Sequence, residues 1–98
     1  MTILKVVGRT TDGKDVVAGV FRFYETEGLP LDILFESLLL KDCIPDWTSF
    51  YREALSAGMS SERIFAKLEP ALLDVYGAEF RDVVLAKLRS EERRVGKE

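Results

Sequence analysis

The chain has 98 residues, a formal net charge of −3, a single cysteine and no histidine. That length makes one domain, and 47% apolar with 32% charged residues is the balance of a chain that folds. Lacking His, and with Cys43 alone, it is excluded from structural zinc binding, His-dependent acid–base catalysis and an internal disulfide.

The acidic balance argues against a broad phosphate-binding surface. The glycines are scattered singly, so there is no phosphate loop, and no apolar run has the length of a membrane span. No secretory leader pattern opens the chain, and cysteine is scarce. A cytoplasmic setting without cofactors is therefore expected, with no membrane partner.

In chain order, residues 2–9 are β-branched and apolar and predict a short strand, and Asp12-Gly13 follows as a hairpin-turn signal. Residues 15–24 admit two readings. As a strand, the segment pairs back across the turn. As a helix, Val16, Val17, Val20, Phe21 and Tyr24 form one stripe, with Asp12 as the cap and Gly28 at the C-terminus, although Glu25 and Glu27 oppose the helix dipole. Pro30 at a first helical position predicts a second helix to about Lys41, apolar nearly all round and so the most buried.

Pro45 and Asp46 open a third helix with Trp47, Phe50, Tyr51, Ala54 and Leu55 inward, and Ala57-Gly58-Met59 predicts a glycine-capped stop. Ser60 or Ser61 caps a fourth, carrying Ile64, Phe65, Leu68, Ala71, Leu72 and Val75, with a kink or break at Pro70 and an end at Gly77. A fifth spans residues 78–89 with Phe80, Val83, Val84 and Leu88 inward. Residues 90–98 lack apolar periodicity and resemble a translated stretch that recurs as a sequence-assembly artefact. The expected fold is mostly α: a compact bundle of four to five short helices with a short N-terminal strand or hairpin. Residues 1–89 form the single helical domain, and 90–98 a disordered or artefactual tail.

Three groups of residues are candidates for function. Ala54, Gly58, Met59 and Ile64 have the spacing of a helix-turn-helix, which would present Ser60, Ser61, Arg63 and Lys67 to nucleic acid. Against it, residues 46–69 carry more acids than bases, and Glu62 stands in the first turn of the would-be recognition helix. An ordinary αα-hairpin needs the same residues. The carboxylates form two groups, the i,i+4 pair Asp32 and Glu36, and Asp74, Glu79 and Asp82 around Gly77. Solvated helix faces are the simplest account of both. The aromatics are mostly core, with Phe23, Tyr24 and Trp47 as candidate interface anchors. Cys43 fits a small buried hydrophobe.

No arrangement of these groups has the form of a catalytic site. The expected function is a non-catalytic interaction or regulatory module that acts through an apolar or acidic face on a protein partner or on itself as a homodimer. The alternatives are a helix-turn-helix DNA-binding regulator, which the charge disfavours, and a mobile-element inhibitor that occupies a basic groove of a host nuclease or defence protein.

Overall fold

The computed structural model describes residues 4–95. The start of the expected 2–9 strand and the last residues of the expected tail lie outside them. The chain forms β1 (Lys5–Arg9), β2 (Asp15–Ala18), α1 (Val20–Glu27), α2 (Leu31–Leu40), β3 (Cys43–Pro45), α3 (Trp47–Ser56), α4 (Ser61–Tyr76) and α5 (Ala78–Val95). This is the mostly α bundle with an N-terminal hairpin that the sequence predicts.

The two readings of residues 15–24 each describe half of the segment. Val16 and Val17 lie in β2, which pairs antiparallel with β1 across the turn, with a bulge between Val6 and Gly8. Gly19, at φ 89°, then swings the chain into α1, a left-handed conformation costly for any residue with a Cβ. Gly28, at φ 72°, closes α1 by donating its N–H to the Tyr24 carbonyl. Asp12 does not cap a helix. It stays in the hairpin turn, accepting from the Thr10 hydroxyl, which holds its pKa below the ordinary carboxylate value.

β3 is an element the sequence reading lacks. Asp15, Val16 and Val17 pair in parallel with Cys43, Ile44 and Pro45, giving a sheet of order β1-β2-β3. A parallel pair requires a long crossover, and α1 with α2 supplies it. Two further bonds lock the pairing, from Asp15 N–H to the Asp42 carbonyl (2.9 Å) and from Asp46 N–H to the Val17 carbonyl (2.8 Å). Pro45 therefore ends a strand, and Asp46 takes the cap position of α3.

The turn after α3 is the glycine stop predicted. Gly58 (φ 98°) donates to the Leu55 carbonyl and Met59 to that of Ala54, the two bonds of a Schellman motif. α4 runs through Pro70 without a break. Ala66, whose carbonyl loses a donor there, and Pro70 are both exposed, so solvent can take the freed acceptor.

Two inward faces differ from expectation. In α5, Val84, Leu85 and Leu88 are buried while Val83 is 65% exposed, because α5 packs on α3 as well as α4 and its contact stripe turns towards Leu85. The helix also continues past Arg89 to Val95. There Glu91 meets Arg52 of α3 at 3.0 Å, and the Arg89 guanidinium lies 5.4 Å from the Phe65 ring centroid. α2 is buried on one face only, through Leu31, Leu34, Phe35 and Leu38. Ile33 and Leu40 are exposed, because its main neighbours, α4 and β3, cover one side.

A chain of ring contacts joins all five helices. It passes from Phe21 to Phe50 (5.3 Å), Phe50 to Phe35 (6.1 Å), Phe35 to Trp47 (5.2 Å), Trp47 to Tyr76 (5.9 Å) and Tyr76 to Phe80 (4.7 Å). Phe35 is wholly buried at its centre. Replacing Phe35 by Ala is expected to cost about 3–5 kcal/mol of unfolding free energy. Urea denaturation would measure this, and a loss below about 1 kcal/mol would show that the ring chain does not organise the core.

Candidate functional site

None of the side chains named by sequence as candidate interface anchors is exposed. Trp47 is buried in the ring chain, edge-on to Phe35 and Tyr76. As the first residue of α3, directly after β3, it points into the bundle and has no outward surface to offer. Phe23 is half-buried against the core, not exposed on α1. Tyr24 is half-buried and lines a cleft of about 350 Å³ with Glu25, Gly28, Leu29 and Pro30.

The helix-turn-helix residues divide. Ser60 is the N-cap of α4, its hydroxyl accepting from Arg63 N–H (3.3 Å). The Ser61 hydroxyl is hydrogen-bonded to the Tyr51 hydroxyl at 2.6 Å. Both serines are thus engaged in holding the α3–α4 corner. Arg63 and Lys67 are exposed, but α4 packs chiefly on α5 and α2 and only lightly on α3. Its outward surface alternates these cations with Glu62, Glu69 and Asp74.

The carboxylates behave differently. α2 and α4 lie side by side, and the furrow between them collects Asp32 and Glu36 from one helix and Asp74 from the other. One part, about 250 Å³, is lined by Asp32, Glu36, Leu39, Leu40, Asp74 and Val75. The next, about 200 Å³, is lined by Leu31, Asp32, Lys67, Pro70, Ala71 and Asp74. Asp32 and Asp74 belong to both, so the two parts form one groove. Leu31 and Ala71 are buried and Leu39 and Val75 half-buried, which gives an apolar floor. Glu36, Asp74 and Leu40 are exposed along its margins.

Asp32, Glu36 and Asp74 have no ion pair or side-chain hydrogen bond among the described residues. Glu79 and Asp82, grouped with Asp74 by sequence, do not join them, and Asp82 pairs with Arg81 at 3.1 Å. Among the described residues no group of three or more acids and Cys is arranged to hold a metal ion. Leu40, at the end of α2, is 82% exposed and adjoins the apolar floor of the groove. No described helix is long and apolar enough to cross a membrane. Cys43 is half-buried in β3, its thiol 3.5 Å from the Lys41 carbonyl.

The aromatic core carries one polar irregularity among the described residues. The Tyr76 hydroxyl oxygen, one residue beyond Val75, is shielded from solvent and has no hydrogen-bond partner among the described residues. Burial pushes its pKa well above the ordinary value of 10.0. Tyr76→Phe should therefore leave thermal stability unchanged or raise it by up to about 1–3 kcal/mol. Because the folded-state pKa is the higher one, the unfolded chain ionises first, so stability falls as pH rises past ~10, and the Phe variant should lose less there. A clear destabilisation of the Phe variant at neutral pH would mean that the hydroxyl is partnered. No family model, curated protein or solved structure matches this chain.

Proposed function

We propose that the protein is a non-catalytic interaction module and that the α2–α4 groove is its binding face. The observation that carries this reading is the groove's composition: three carboxylates without intramolecular partners beside an apolar floor and an exposed Leu40. Unpaired surface acids contribute little to folding, and an exposed leucine contributes nothing to a core. Both gain a role when a second surface covers them. Covering a leucine side chain is worth about 1.5–3 kcal/mol, and complementary charge speeds and orients encounter.

A second copy of the chain is a poor occupant of this face. Symmetric self-association across it would set Asp32, Glu36 and Asp74 of one copy against those of the other, and like charges brought together in an interface are repulsive. A different protein is the better partner. The helix-turn-helix reading has less support, since Ser60 and Ser61 are committed to the corner and α4's outward charge is mixed.

Selection of a displayed random-peptide library on the protein tests this reading. Enriched peptides should lose affinity by about tenfold or more on Leu40→Ser, which is exposed and should fold normally, and should keep it on Thr11→Ser in the hairpin turn. Failure to enrich any peptide, or binders indifferent to Leu40→Ser, would remove the groove as the binding face.

A further inference from the structure

Given that the groove is the binding face, its length, floor and field restrict what it can hold. We infer that its occupant is a basic amphipathic helix of about three turns.

The shape comes first. Asp32, Glu36, Leu39 and Leu40 fall at i, i+4, i+7 and i+8 of α2. Lys67, Pro70, Ala71, Asp74 and Val75 fall at i, i+3, i+4, i+7 and i+8 of α4. Two rows at helical spacing, side by side, leave a furrow between two ridges, the seat a third helix takes by ridge-into-groove packing. α2 has ten residues, so the furrow is about 15 Å long and matches about ten residues of an incoming helix. Its narrow apolar floor suits a helix with apolar side chains at i, i+3, i+4 and i+7.

The field comes second, from two separate sources. One is the side chains: three unpaired carboxylates against Lys67 alone. The other is the backbone. Leu31 lies by Lys67, Pro70 and Ala71, while Leu39 and Leu40 lie by Val75, so α2 and α4 run in the same direction along the groove. α2 therefore brings its C-terminal, partially negative end to the Leu40 end, while that of α4 is offset by the N-terminus of α5, which begins one residue later. Neither α2 nor α4 has a basic residue in its last turn, and Lys41 stands at the α2 cap. The carboxylates and the α2 end add to one negative potential over an apolar floor. Lys or Arg flanking an apolar stripe is the complement of that surface. An acidic or uncharged helix, a nucleic acid and a second copy of this chain are not.

The test uses a labelled peptide of about 15 residues with leucines at i, i+3, i+4 and i+7 and lysines elsewhere. Two controls accompany it: a scrambled peptide of the same composition, and one with glutamates for the lysines. Fluorescence anisotropy should show saturable binding of the first, weakened by salt, and at least about tenfold weaker binding of both controls. The charge-neutral variant Asp32→Asn/Glu36→Gln/Asp74→Asn substitutes exposed or half-exposed positions isosterically and should keep the melting curve. It should bind the basic peptide about tenfold or more weakly. Equal binding of the scrambled peptide would reduce the interaction to unspecific charge attraction and overturn the inference, as would full affinity in the neutral variant. If library selection yields groove binders without a basic stripe, this inference falls while the groove reading stands. If selected binders ignore Leu40→Ser, both fall.

Discussion

The edge-to-face contact of Phe35 with Trp47 is where five helices meet. Phe35 stands on α2 and Trp47 on α3. Through Phe50 the contact reaches Phe21 of α1, and through Tyr76 it reaches Phe80 of α5. Large rings fill volume with few side chains, so a chain of this size builds a continuous core from about one ring per helix. Trp47 can reach Phe35 because β3 docks beside β2 and delivers the start of α3 to the middle of the bundle. The small sheet thus acts as a clamp that sets where α3 begins.

That core has a consequence for the outside. α2 directs Leu31, Leu34, Phe35 and Leu38 inward and has nothing left to cover its other apolar side chains. Leu39 and Leu40 fall on the side shared with α4, where Ala71 and Val75 form the facing wall. The same parallel packing brings Asp74 to Asp32 and Glu36 and aligns two helix C-termini. The groove's unpaired carboxylates and exposed leucine arise as the remainder of a fold whose ring chain has fixed which side of α2 faces in.

Much of this was legible locally. Gly28, Gly58 and Gly77 each end a helix where the sequence indicates, because a positive φ beside an apolar residue is a local signal. Ser60 caps α4 for the same kind of reason. Residues 15–24 looked undecided because two local signals overlap there, and Gly19 is the hinge that lets each rule its own half. β3 was illegible since three residues become a strand only by pairing with β2 across the α1–α2 crossover. The inward stripe of α5 depends on its second neighbour, α3, and so favours Leu85 over Val83. Asp32 with Glu36 was visible as an i,i+4 pair, but nothing in sequence spacing places Asp74 beside them. Trp47, suggestive of an interface by residue type, proved to be core because its position is set by the sheet.

The central claim is that the acidic α2–α4 groove is where this protein meets a basic helix. Backbone amide NMR during titration with the amphipathic lysine–leucine peptide tests it most directly. The account predicts chemical-shift changes concentrated at Asp32, Glu36, Leu39, Leu40, Asp74 and Val75, with β1 and α1 unmoved. Changes centred on the β1–β2 hairpin or the α3–α4 corner, or none at saturating peptide, would contradict it.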